Sequence, residues 1–239
     1  MTIVKTCGKL YWAGEYAILE PGQLALIKAI PIYMTAEIES SEVYRLYSDM
    51  FTYVVDMRPD SSYALIQETV ALVEEYLTAQ GVDLRPFSLD VRGKMEREGK
   101  KFGLGSSGSV VVLVIKAMLA FYERPAERDL LFKLASTVLL KRGDNGSMGD
   151  IACIASEDLV LYQSFDREKV AQWLDKEDLP TVLARDWGFS IRSIKPTLKF
   201  DFLVGWTKEV AVSSHMVMQI KHNMNASFLQ ASKETVDSL

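Results

Sequence analysis

Three short runs gather the residue types that handle anions and protons. The first is Gly103-Leu104-Gly105-Ser106-Ser107-Gly108-Ser109, standing ahead of a long apolar stretch. Glycines let backbone N–H groups approach an anion closely, and a helix start adds the positive end of its dipole. The hydroxyls of Ser106, Ser107 and Ser109 can donate to a phosphate or reach a phosphate-bound cation. Lys94, Arg97, Lys100 and Lys101 lie just upstream, against only Glu96 and Glu98. The same residues also make an ordinary Gly/Ser turn before a buried helix, beside a solvated charged stretch.

Two familiar phosphate loops are excluded. The first six residues spell G-x-G-x-x-G, but the dinucleotide fingerprint needs a buried strand immediately before it, and the highly charged segment 93–101 is not one. A Walker A loop fails because no Gly-Lys-Ser/Thr follows at the required spacing. The second run, Lys9-Leu10-Tyr11-Trp12-Ala13-Gly14-Glu15-Tyr16-Ala17, offers Lys9 as a phosphate-facing cation or as a plain strand-end lysine. The third, Asp144-Asn145-Gly146-Ser147-Met148-Gly149-Asp150-Ile151-Ala152, presents carboxylates on a small-residue loop, as a catalytic site or a simple turn would. His215 and His222 have no acidic or cysteine partner at ligand spacing, so neither a metal centre nor a hydrolase triad is expected there.

The elements that must position these runs alternate between strand and helix. Strands are expected at Met1 to Thr6, Ile30 to Ile38, Tyr44 to Tyr47, Phe51 to Val55 and Phe87 to Val91. A helix capped by Ser61 or Ser62 carries Ile66, Val70, Val73 and Leu77 at helical spacing and stops at Gly81. The valine-rich start of Ser106 to Tyr122 suits a strand, but so long an apolar run without a turn reads as a buried helix. Ala126 to Arg142 forms another helix, with Leu130, Leu131, Leu134 and Val138 inward and Gly143 as its stop. Ile151 to Ala155 and Leu159 to Ser164 read as paired strands, followed by a charged helix from Asp166 to Lys176. The pattern turns irregular between Trp187 and Pro196, where a domain boundary is placed. Beyond it come a strand at Phe200 to Trp206 and a helix capped by Ser213 or Ser214 with Val217, Ile220, Met224 and Phe228.

Composition bounds the class. The 239 residues are 49% hydrophobic with a formal net charge of −5, enough apolar material for a real core and the wrong sign for a nucleic-acid binder. No apolar run of membrane-spanning length occurs, and the first residues lack the apolar core of a signal peptide. Cys7 and Cys153 are too few for a disulfide framework and point to a reducing compartment. These features predict a cytoplasmic globular protein with no membrane or nucleic-acid partner.

Taken together, the order and spacing of the three runs resemble the GHMP kinases. KLYWAGEYAILEPG, GKKFGLGSSGSVVV and RGDNGSMGDIACI look most like the branch of that family acting on phosphomevalonate, and the similarity extends from residue 1 to about 225. The resemblance implies an α+β, two-domain fold. A ribosomal protein S5 domain 2-like unit would span 1–190, and the start of a ferredoxin-like domain 191–239. It implies transfer of the ATP γ-phosphoryl group to (R)-5-phosphomevalonate, with Mg²⁺ accompanying the nucleotide. Gly103, Leu104, Gly105, Ser106, Ser107, Gly108 and Ser109 would cradle the phosphates, with Ser107 near the metal. Lys9 and Asp150 match the family's catalytic pair, and Lys101, Ser147 and Ser213 are expected to contact the acceptor.

Two departures accompany the match. No third glycine-rich motif follows Phe200, since Gly205 is the last glycine, so the chain reads as C-terminally shortened. Mevalonate kinases carry a metal-binding glutamate about eleven residues before the aspartate, where this chain has Leu139. Within the family, mevalonate kinase and diphosphomevalonate decarboxylase are the alternatives. The cations Lys94, Arg97, Lys100, Lys101, Lys141 and Arg142 favour an acceptor that is already phosphorylated. Outside the family's chemistry, the alternative is a domain that binds nucleotide or metabolite without turnover.

Overall fold

A computed structural model describes residues 1–93, 95–98, 100–197, 201–208 and 224–238, with only the backbone of Arg97 and Lys101. Among the described residues eight strands lie in chain order: β1 (Thr2–Ala13), β2 (Leu24–Ser40), β3 (Arg45–Ser48), β4 (Phe87–Arg92), β5 (Glu96–Arg97), β6 (Lys100–Lys101), β7 (Leu159–Gln163) and β8 (Ser190–Ser193). The helices are α1 (Ala64–Ala79), α2 (Ser106–Phe121), α3 (Arg128–Lys141), α4 (Gly149–Ser156), α5 (Arg167–Leu174), α6 (Leu179–Ala184) and α7 (Ala226–Asp237). A 3-10 turn at Ala17–Leu19 follows β1.

The long strand β2 organises the sheet. One edge pairs along its length with β1, while on the other Leu24 to Lys28 bind β7 and Thr35 to Ser40 bind β4, all antiparallel. β3 adds to β4 in parallel and β8 to β7 antiparallel, giving the order β3-β4-β2-β7-β8 with β1 beside β2. β8 brings Ser190 to Ser193 into the sheet, three of its residues lying past the division at 190.

The two faces of the sheet read off the alternation of side chains along a strand. Ala25 and Ile27 face the main core with α1 to α4, whereas Leu24 and Leu26 face a smaller cluster closed by Val236 of α7. α2 is the centre of the main core: Val111 to Ile115 are all fully buried, as in a helix that is apolar all round. α1 buries the expected Ile66, Val70, Val73 and Leu77, and Gly81 follows it at φ +72°. Its start is held by Asp60 rather than Ser61 or Ser62, since the Asp60 carboxylate accepts from the Ser62 and Tyr63 N–H groups.

Several expectations give way to the structure. Ile151 to Ala155 is not a strand but the body of α4. Both edges of β7 are occupied, by β2 and β8, so a strand there would have had no partner. Phe51 to Val55 provides only a single bridge, Leu46 to Val55, and otherwise runs as irregular chain packed on Tyr63 just before α1; the Tyr63 hydroxyl donates to the Tyr53 carbonyl. β1 and β2 continue well beyond their predicted ends, since each satisfies the other's backbone groups. Leu130 is half-buried and packs against the edge of the main core. No strand forms at 201–207, where Phe202 instead packs on Trp12 at 5.1 Å and Trp206 on Phe102 at 5.0 Å. His215, His222 and the helix start at Ser213 or Ser214 lie outside the described residues, and Phe228 sits in α7.

Candidate active site

Lys9 lies in the middle of β1, just past a register irregularity at Cys7 and Gly8. Its backbone N–H donates to the Leu104 carbonyl at 3.0 Å, stitching the strand to the glycine-rich loop. Its side chain runs across Gly105, where a built Cβ would meet Lys9 Cε at 2.9 Å. Gly105 also takes the left-handed conformation, φ +81°, as the residue preceding α2. The positive φ favours glycine, and any side chain there would also push the Lys9 stem aside. No side chain caps α2, so its first N–H groups remain open toward the loop.

Asp150 arrives from the other side, in the first turn of α4. Its Oδ2 rests against Gly108, where a Cβ would stand 2.9 Å away, and its Oδ1 accepts from the Ile151 N–H at 2.9 Å. Burial pushes the Asp150 carboxyl up, and the charge of Lys9 draws it partly back. The two charges sense each other without direct ion pairing and flank the opening turn of α2. Helix presentation corrects the expectation that Asp150 precedes a strand: Asp150 stands in the first turn of α4, whose leading N–H groups at Gly149 and Ile151 are taken by Ser147 Oγ and Asp150 Oδ1.

Ser147 is buried beside this pair. Its Oγ shares a hydrogen bond with the Tyr11 hydroxyl at 3.0 Å and accepts from the Gly149 N–H at 3.2 Å, while the Tyr162 hydroxyl donates to its carbonyl at 2.9 Å. Burial foremost, then the Asp150 charge, pushes the Tyr11 phenol up, so it stays protonated at neutral pH. The Lys9 ammonium lies 5.1 Å from the Tyr11 ring centroid, a cation–π contact. Gly149 leaves the space that Tyr11 fills: a Cβ there would come within 2.4 Å of the hydroxyl oxygen.

The expected residues therefore separate into those brought together and those turned elsewhere. Lys9, Asp150, Ser147 and the loop from Gly103 to Gly108 converge, with Ser107 exposed and Ser106 half-exposed at the helix start. Ser109 faces inward: its hydroxyl donates to the Cys7 carbonyl at 2.7 Å and its carbonyl accepts from Thr6 Oγ1. Lys141 and Arg142 are paired with Glu75 and Glu68 of α1, so they do not join the cationic cluster. Leu139 is a buried core residue of α3. The Lys101 side chain and all of Ser213 fall outside the described residues.

Comparison with known proteins gives the family. The profile described as the GHMP kinases N terminal domain matches residues 64–157, taking in the glycine-rich loop and Asp150. The structure of Streptococcus pneumoniae phosphomevalonate kinase in complex with phosphomevalonate and AMPPNP superposes with a TM-score of 0.98. At 73% sequence identity, the match covers 100% of this chain and 73% of that one. The chain belongs to the phosphomevalonate kinase family of GHMP kinases. A curated member of the family, the phosphomevalonate kinase of Streptomyces sp. (strain CL190), is 28% identical over 243 residues, and the match covers 92% of this chain. The chain spans 65% of the length of that relative. The fold extends further, to Methanococcus jannaschii mevalonate kinase at 16% identity and a TM-score of 0.69, over 99% of this chain and 71% of that one.

Tyr11 and Arg167 escaped the reading of the residues. Tyr11 had a signal, since a strand residue two positions from Lys9 points to the same face. Arg167 had none, being one of several charges in an amphipathic helix.

Proposed function

We propose that the chain transfers the γ-phosphoryl group of ATP to the phosphate of (R)-5-phosphomevalonate, giving 5-diphosphomevalonate and ADP. The convergence of Lys9 and Asp150 on the open amino end of α2 carries this reading. The close match to a relative whose structure holds phosphomevalonate and AMPPNP supports it.

The loop N–H groups and the amino end of α2 bind the nucleotide phosphates, and Lys9 reaches across the loop to the transferring group. An acceptor phosphate oxygen bonds to the γ-phosphorus as the bond to the β–γ bridging oxygen breaks, and ADP leaves with that electron pair. The second pKa of a phosphate monoester is about 6, so the acceptor needs little deprotonation at neutral pH. Asp150 accordingly orients Lys9 and the acceptor rather than removing a proton. Ser147, with Lys101 and Ser213, contacts the acceptor. No group of three or more His, Cys, Asp or Glu side chains able to hold a metal occurs among the described residues. The Ser107 hydroxyl, exposed at the start of α2, would be the protein's contribution to a Mg²⁺ that accompanies the nucleotide. When bound, Mg²⁺ neutralises charge on the phosphates. The proposal places residues 1–190 in the catalytic unit and 191–239 at the start of a second domain. Among the described residues no helix is long and apolar enough to cross a membrane, and a cytoplasmic location is part of the same proposal.

ADP release by the 239-residue chain with Mg-ATP, offered phosphomevalonate and mevalonate separately, tests the assignment. Turnover confined to phosphomevalonate is expected. Equal or greater turnover of mevalonate would overturn the choice of acceptor. Absence of turnover, with both ligands raising the melting temperature, would leave binding without catalysis.

A further inference from the structure

The loop carrying Ser147 and leading to Asp150 is held by a residue distant in sequence. Arg167 opens α5, and its guanidinium donates to three main-chain carbonyls on two separate segments. Nη1 reaches the carbonyls of Gly146 and, at 3.3 Å, Asn145, while Nη2 reaches that of Leu19 at 2.7 Å. No carboxylate lies within ion-pair distance of it among the described residues, and burial pulls the guanidinium below its usual range. Glu20, Asp144 and Glu168 act on it at longer range and offset part of that burial, while its hydrogen bonds all go to main-chain carbonyls.

That geometry bears on the reactive pair. Gly146 directly precedes Ser147, and Leu19 ends the turn that follows β1, the strand of Lys9 and Tyr11. Asp144 holds the same loop locally by accepting from the Gly146 N–H at 2.6 Å, but that contact only sets the turn's shape. Tyr11 and Tyr162 hold Ser147 against β1 and β7; the Arg167 fork adds a tie from the residues before it to the turn after β1, because a planar guanidinium holds two directions at once. With the Gly146 carbonyl turned toward Arg167, planarity of the trans peptide sends the Ser147 N–H the opposite way.

We infer that Arg167 is a positioning residue for the acceptor side of the site, locking the Asn145–Ser147 loop against the turn after β1 so that Ser147 and Asp150 hold their places opposite Lys9. The inference rests on the phosphoryl-transfer reading above. It assigns no contact between Arg167 and either substrate. Loss of the fork therefore affects the acceptor, whereas the nucleotide loop before α2, built from different segments, keeps its form.

Arg167→Met and Arg167→Lys, prepared in the full chain, test this. The expected result for Arg167→Met is a kcat/KM for the acceptor lower by about 10²-fold, with the KM for ATP changed by less than about twofold. Arg167→Lys, which keeps the charge without the fork, should recover only part of the loss. Equal rises in both KM values, or full activity in Arg167→Lys, would overturn the inference. A second measurement does not depend on turnover. Amide hydrogen exchange at 144–149 and 18–20 should quicken in either variant while Val111 to Ile115 remain protected. Unchanged exchange in those loops would refute the clamp. If the unaltered chain turns over no acceptor, the functional proposal fails and exchange alone decides the role of Arg167.

Discussion

At the scale of single residues, the site depends on side chains that are absent as much as on those present. Gly105, Gly108 and Gly149 each leave room for a functional group: the Lys9 stem, the Asp150 carboxylate and the Tyr11 hydroxyl. Gly149→Ala would set a methyl 2.4 Å from Tyr11 Oη and 2.8 Å from Ile27 Cδ1. The strain should lower stability by about 1–3 kcal/mol in urea unfolding and displace the Tyr11–Ser147 pair, depressing turnover further. Asp150→Asn should lose about 10²-fold in kcat, uniformly with pH, because orientation and not proton removal is lost. Recovery of activity at high pH would assign Asp150 the role of base. The same variant carries a stability prediction. Asp150 has its folded pKa raised above the ordinary 3.8, chiefly by burial, so the folded state holds the proton more tightly and loses stability as pH rises through that range. Asparagine carries no charge to bury. Asp150→Asn should therefore melt above the parent at neutral pH and lose that advantage below pH 3.8.

At the scale of elements, α2 carries both the core and the site. Leu113 is fully buried at its centre, and Leu113→Ala should cost about 2–5 kcal/mol in denaturant unfolding. A loss under about 1 kcal/mol would mean that the core around α2 collapses to fill the space. The two helices that build the site were unequally legible. The valine-rich start of Ser106 to Tyr122 suits a strand, but its length without a turn favours the helix that α2 forms. Ile151 to Ala155 is short enough for either state and wholly apolar, so periodicity could not decide it. What decided it was the sheet, in which β7 already had two partners. That outcome is chemically consequential, because it gives Asp150 a helix start instead of a strand end.

At the scale of the whole molecule, the sheet face lined by α1 to α4 encloses both cysteines. Burial pushes the Cys7 thiol up from 9.0 to about 11, with the Glu157 charge adding to it, and Cys153 is raised as well, again chiefly by burial. Both are free and inside the fold. Iodoacetamide labelling at neutral pH should proceed only through opening of the core, at rates that follow global stability across a urea series. Fast labelling of either thiol in the native protein would contradict this. Because folding keeps Cys7 protonated, its contribution is complete below pH 9.0 and declines toward pH 11, where the urea midpoint should fall.

The sequence by itself determined the local features. These are the glycine loop ahead of a buried helix, the periodic face of α1, and the order of Lys9, the loop and Asp150 by which the family was recognised. Each depends on neighbours within a few positions or on a fixed order along the chain. Tertiary structure decided what depends on distant partners. It turned Ser109 away from the loop and onto the Cys7 carbonyl, and neutralised Lys141 and Arg142 against α1. It placed Tyr11 against Ser147 and carried Arg167 back to the carbonyls before Ser147. A hydroxyl or a cation has the same sequence signature whether it faces a ligand, a carboxylate or a backbone carbonyl. Only the packing of strands and helices determines which of these it meets.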